Sequence, residues 1–99
     1  MASTKEYKQY ISDQLSSLDN IKFKPMMGEF LLYYSDILVG GIYDDRLLVK
    51  KVNENEKYEM KEVEPYKGAK TMFLVDEVDN KEILKEIILD TYNGLLIKK

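Results

Sequence analysis

The two side chains that carry much of protein chemistry are missing: the chain contains no cysteine and no histidine. Without cysteine, disulfides, thiolate nucleophiles and sulfur ligation of metals are excluded, which suits a reducing compartment. Without histidine, the commonest general base and the usual zinc and haem ligand are gone as well. Tryptophan is absent, proline occurs twice and glycine five times, so the composition is neither collagenous nor that of a low-complexity linker. Long apolar runs are lacking too. Phe30 to Tyr34 and Ile37 to Tyr43 are the longest, far short of the ~20 residues a membrane span requires. Met1 to Lys8 offers no apolar stretch of the kind an export signal needs. Nor is there an excess of positive charge: 15 basic residues stand against 18 acidic ones, a net charge of −3, which argues against binding duplex DNA or an anionic membrane. The expectation is a cytoplasmic protein with no cofactor, no metal, no membrane contact and no duplex DNA partner.

What is present fills one domain over residues 1–99, since compact domains run from about 50 to 250 residues. Ser3 with Glu6 has capping-box spacing, and Tyr7, Tyr10, Ile11, Leu15 and Leu18 form one apolar stripe, predicting a helix over Thr4 to Leu18. Ile21 to Lys24 alternates as a short strand that Pro25 should stop. Three strands follow closely, Gly28 to Tyr34, Ile37 to Tyr43 and Arg46 to Lys51. Their links, Ser35-Asp36 and Asp44-Asp45, are short enough only for hairpins. The first two are almost continuously apolar, so both of their faces need cover. Gly40-Gly41 inside the second predicts a bulge or a close backbone approach. Asn53 to Glu64 is a charged excursion with an irregular strand or turn at Tyr58 to Val63, and Thr71 to Val75 is a last strand. Asp79 with Glu82 repeats the capping-box spacing ahead of a second helix buried through Ile83, Leu84, Ile87, Ile88 and Tyr92, with Asn93-Gly94 as its C-cap. The fold class is α+β: an antiparallel sheet of about five strands with an N-terminal and a C-terminal helix packed on it.

Candidate chemistry is sparse. Asp44-Asp45 and the group Asp76, Glu77 and Asp79 lack the spacing of a calcium loop and suit turns and caps better than ligands. Gly40-Gly41 lacks the Lys-Ser/Thr pair of a phosphate loop. Lys22, Lys24, Lys50, Lys51, Lys67 and Lys70 are interleaved with tyrosines, a pattern shared by single-strand nucleic-acid binders and by guarded sheet edges. Glu29 and Arg46 stand among apolar residues in inner strands and need partners there. A structural ion pair is the plainer reading, a ligand contact the sharper one. Eight of the eleven aromatic residues are tyrosine, a residue enriched at contact surfaces.

The run Pro25-Met26-Met27-Gly28-Glu29-Phe30-Leu31-Leu32-Tyr33-Tyr34, then Gly40-Gly41-Ile42-Tyr43-Asp44-Asp45-Arg46-Leu47-Leu48-Val49-Lys50 and Gly68-Ala69-Lys70, resembles the N-terminal domain of the bacterial TfoX/Sxy family, which is associated with regulation of natural competence. The resemblance runs from the first helix to the second. It implies an α+β sandwich comparable with secretion-chaperone-like domains and supplies no catalytic residue. Fuller members carry a second, C-terminal domain, which is expected to be absent here.

The leading expectation is therefore a non-catalytic regulatory or protein-interaction module whose candidate contacts are Met26, Met27, Glu29, Tyr33, Arg46 and Lys70. Its protein partner is not identified by the sequence. Two other readings stand beside it: an adaptor that holds a client segment against the sheet, and a small ligand sensor or enzyme around Glu29, Arg46 and Lys70. If both helices pack on one side of the sheet, the other side exposes an apolar patch and a homodimer is expected. If the helices split across the sheet, a monomer follows.

Overall fold

In the computed structural model residues 3–97 are described. Met1 and Ala2, the first positions of the segment read as lacking an export signal, lie outside the described residues, as do Lys98 and Lys99. Helix α1 spans Lys5–Gln14. Its N-cap is Thr4, whose Oγ1 accepts from the Tyr7 amide at 3.1 Å. Ser3, the expected cap, is engaged elsewhere, its hydroxyl donating to Glu29 Oε1 at 2.5 Å.

Four strands then follow one another: β1 (Ile21–Met26), β2 (Glu29–Tyr34), β3 (Ile37–Ile42) and β4 (Leu47–Val49). The two-residue turns between them all place both central residues at positive φ: Met27 and Gly28 at 50° and 87°, Ser35 and Asp36 at 49° and 67°, Asp44 and Asp45 at 54° and 53°. This is the type I′ geometry, whose twist matches that of the flanking strands. Pro25 does not stop β1. It sits opposite Phe30 within the ladder, which is tolerated because β1 is an edge strand and the missing N–H faces no neighbouring strand among the described residues. The expected irregularity at the glycines is a bulge: Leu32 pairs with Gly40 and Tyr33 with Leu38, leaving Val39 as the extra residue. A Cβ on Gly40 would lie 2.1 Å from the Leu48 carbonyl oxygen, and one on Gly41 2.7 Å from that of Phe30, so the close approach is real.

The charged excursion contains a 3₁₀ segment, Asn53–Tyr58, and strand β5 (Lys61–Val63), which with β6 (Met72–Leu74) completes a six-stranded sheet in the order β1-β2-β3-β4-β6-β5. The strand beyond the expected five is β5, which lies within the Tyr58 to Val63 stretch read as an irregular strand or turn. Its three residues are too few and too charged to show an alternating pattern. Helix α2 runs Lys81–Ile97. Its first turn is capped by Asn80, whose Oδ1 accepts from the Ile83 amide at 3.2 Å, whereas Asp79 accepts a hydrogen bond from the Tyr10 hydroxyl. The helix does not end at Asn93-Gly94. Gly94 is there for clearance, because a Cβ would meet Val52 Cγ2 at 2.6 Å and Glu54 Oε1 at 2.4 Å.

Both helices lie on one face. Ile11 and Leu15 of the α1 region and Leu84, Ile87 and Ile88 of α2 share a single buried cluster with Leu32, Val39, Ile42, Leu47, Val49 and Phe73. Side chains alternate along a strand, so with Leu32 the residues Phe30 and Tyr34 face the helices, where Tyr34 meets Tyr92 edge to face at 4.8 Å. Leu31 and Tyr33 consequently face the other way. Of the two arrangements open to the sequence, the one with a helix-free sheet face is adopted.

Candidate binding cleft

The helix-free face has two halves. Over β1, β2 and β3 it carries Leu31, Tyr33 and Leu38, all half-buried, rimmed by the exposed Lys22 and Lys24. Over β3, β4 and β6 the chain returns to cover it. Tyr43, next after the inward Ile42, lays its ring across Gly41, within 2.8 Å of where a side chain there would begin. Residues 64–71 then arch above, with Pro65 buried and Tyr66 exposed. The Tyr43 and Tyr66 rings lie 6.4 Å apart at 49°. Between arch and sheet is a cleft of about 670 Å³, lined by Leu38, Gly40, Tyr43, Lys50, Lys51, Pro65, Tyr66, Ala69, Lys70, Thr71 and Met72.

The residues singled out in the sequence fall in three places. Glu29 and Arg46 do not pair with each other. Glu29 Oε1 accepts from the Ser3 amide at 3.1 Å, the Ser3 hydroxyl at 2.5 Å and the Asp44 amide at 3.1 Å, so it fastens the start of the chain to the β3–β4 hairpin. Asp45 adds to the same clasp, accepting from the Thr4 amide at 2.8 Å, where a carboxylate also favours the positive end of α1. Arg46 donates from Nε to the Tyr43 carbonyl at 3.2 Å and from a terminal nitrogen to the carbonyls of Glu64 at 3.3 Å and Pro65 at 3.4 Å. The guanidinium thus ties the hairpin to the arch and holds one wall of the cleft. Charge isolated among apolar neighbours was the signal at both positions, and main-chain hydrogen bonds supply the compensation it required.

Met26 and Met27 form the second place, the β1–β2 hairpin tip, at 37% and 97% exposure. Lys70 alone of the six lines the cleft, and Tyr33 lies beside it through its pairing with Leu38. The lysine series also divides. Lys22 pairs with Asp36 at 3.5 Å across the far hairpin, whereas Lys50, Lys51 and Lys70 converge on the cleft. Tyr43, Tyr66 and Met72 were not singled out by the sequence, because Tyr66 reaches the sheet only through a loop that carries no periodicity.

The electrostatics are local. Burial, chiefly, and then the neighbouring Tyr66, Glu29 and Tyr33 push the Tyr43 hydroxyl above its ordinary range, so it is a neutral donor at physiological pH. Lys51 Nζ donates to Glu62 at 2.9 Å and to Thr71 Oγ1 at 2.7 Å. The bond from Lys51 to Glu62, then that donated by the Thr71 hydroxyl at 3.1 Å, hold the exposed Glu62 carboxyl below its usual range. No group of three acidic side chains able to hold a metal occurs among the described residues, and none of the described helices is long and apolar enough to cross a membrane.

Fold and cleft together define a two-layer α+β domain, with two helices on one side of a six-stranded antiparallel sheet and a loop-covered cleft on the other. No protein-family model matches the chain. It is 32% identical over 80 residues, 79% of this chain and 70% of the other, to a Spirochaeta aurantia protein described as an uncharacterized 12.7 kDa protein in the trpE 5′ region. The chain belongs to the same family as that protein.

Proposed function

We propose that the chain is a non-catalytic cytoplasmic interaction module of the TfoX N-terminal type, working by apposition of its helix-free sheet face to a second copy of itself. The observation that carries this reading is the placement of Leu31, Tyr33 and Leu38 on the side of the sheet opposite both helices. A sheet face left to water is ordinarily polar. Here three large apolar side chains lie together, with the exposed Met26 on the same side at the hairpin end. Charge complementarity favours a second copy. Lys22 and Asp36 on the rim of the patch already pair with each other, but the exposed Lys24 on β1 and Asp44 at the β3–β4 hairpin leave opposite signs at its two ends, which a twofold arrangement brings together. The non-catalytic part rests on Glu29 and Arg46, the most plausible reactive groups in the sequence, being spent on main-chain hydrogen bonds. Strand addition by a client is disfavoured at both sheet edges, since β1 carries Lys22, Lys24 and Pro25 and β5 is three residues long.

Size-exclusion chromatography with light scattering tests the proposal. A mass near two chains is expected at micromolar concentration, falling to one chain in Leu31→Lys/Leu38→Lys with the fold retained by circular dichroism. A mass of one chain for the native protein, unchanged on concentration, overturns it.

A further inference from the structure

We infer that the cleft between the sheet and residues 64–71 is a binding site for a small organic anion with an apolar body, its carboxylate held by Lys50 and Lys70. Self-pairing of the chain is not required for this. The volume of about 670 Å³ lies within the ~300–1,000 Å³ typical of sites that enclose small ligands. The body of such a ligand meets Leu38, Met72 and the tilted pair Tyr43 and Tyr66, an apolar and aromatic surface suited to a ring or a branched chain.

The sign of the head group follows from charge. The chain carries a net −3, yet three lysines and no acidic residue line this cleft. Lys51 is neutralised by Glu62 at 2.9 Å. Lys50 and Lys70, like most of the described lysines, have no carboxylate partner among the described residues, and they are the unpaired lysines that line this cleft. Two cations without a partner on the lining of an apolar cleft offer an anion charge-assisted hydrogen bonds, and an ammonium–carboxylate bond is among the stronger ones available to a ligand. Arg46 acts as a positioning residue, since its bonds to the Glu64 and Pro65 carbonyls set the height of the arch above the sheet.

A free metabolite and the C-terminal carboxylate of a peptide present the same chemistry, and one titration series separates them. The ¹⁵N-labelled full chain is titrated with 4-phenylbutyrate, with its neutral amide, and with an acetylated Gly-Leu-Phe tripeptide bearing a free carboxylate. The acid is expected to shift the amides of Leu38, Lys50, Ala69 and Lys70 and to bind about tenfold more tightly than the amide. The Lys50→Gln/Lys70→Gln variant, altered only at cleft-rim side chains, is expected to lose that tenfold advantage, whereas Lys22→Gln/Lys24→Gln keeps it. Tighter binding of the tripeptide than of phenylbutyrate identifies a peptide terminus as the source, and the reverse identifies a free small molecule. Equal affinity for acid and amide, or no shift at these amides up to about 10 mM acid, overturns the proposal, and both readings come from the native chain even if the double variant does not fold.

Discussion

At the scale of single residues, the structure is organised by polar groups that finish what the apolar pattern leaves open. Asn55 is the clearest case. It is fully buried, and its amide nitrogen donates to the Lys50 carbonyl at 2.9 Å and to Thr91 Oγ1 at 2.8 Å, while its oxygen accepts from the Val52 amide at 3.2 Å. Thr91 in turn donates to the Ile87 carbonyl at 2.7 Å. One side chain thereby joins the segment after β4 to the middle of α2. Asn55→Leu strands the Val52 amide and the Lys50 carbonyl and removes a donor to Thr91, which keeps its bond to Ile87, and is expected to lower stability by about 2–3 kcal/mol. In a domain of this size that corresponds to a melting point lower by roughly 10–20 °C, measurable by calorimetry. A change under about 0.5 kcal/mol, the usual range for surface substitutions, would show that water replaces the node. Glu29 and Arg46 belong to the same category, residues whose charge marks a structural joint.

At the scale of elements, Gly94 shows two effects opposed. In the interior of a helix, alanine is favoured over glycine by about 1 kcal/mol, and Gly94 lies within α2 rather than at its end. The added Cβ, however, would sit 2.7 Å from Val52 Cβ. The Glu54 carboxylate can swing away, but Val52 is buried and branched at the very atom approached, so relief requires moving backbone. Overpacking of this kind costs about 1–3 kcal/mol and outweighs the propensity gain. Gly94→Ala is therefore expected to lower the urea midpoint with an unchanged m-value. A raised midpoint would mean that the 3₁₀ segment yields freely. The contrast is Gly68, where nothing lies within 4 Å and only the φ of 89° opposes a side chain.

At the scale of the whole molecule, the titration behaviour follows from which groups are shifted and in which direction. Tyr7, Tyr43 and Tyr58 are raised chiefly by burial, and Tyr10 chiefly by its hydrogen bond to Asp79. A raised phenol keeps its proton in the folded state at a pH where the unfolded chain has released it. The associated stability is complete below the ordinary tyrosine range and is lost as pH rises through it and beyond. Glu62 is lowered, so its contribution is present above the ordinary glutamate range and is lost as pH falls through the folded value. With no histidine, no side chain has an ordinary pKa near neutrality. Thermal midpoints are expected to be flat from pH 6 to 8 and to fall steeply above about pH 10. A sloping midpoint between pH 6 and 8 would point to a buried carboxylate or lysine titrating there, and flatness to pH 11 would show that the tyrosines carry no linkage.

The local pattern alone was enough for the two helices, the successive hairpins and the disturbance at Gly40-Gly41, because periodicity, two-residue links and side-chain volume act between near neighbours in the chain. It also brought out Lys70 and the lysine–tyrosine interleaving from which part of the cleft is built, and Tyr33 beside it. Where the helices start and stop was decided by competition over longer distances: Ser3 is taken by Glu29, Asp79 by Tyr10, and Gly94 by its proximity to Val52. Pro25 stays within a strand because β1 has a neighbour on only one side. Strand β5 exists because β6 offers it an edge, and three charged or half-buried residues carry no pattern of their own. The placement of both helices on one face, which leaves the other to Leu31, Tyr33, Leu38 and the loop-covered cleft, was decided only by tertiary packing. Two amphipathic stripes state that each helix must be buried, but they do not state on which side of the sheet, and that choice belongs to the shape and volume of the assembled core.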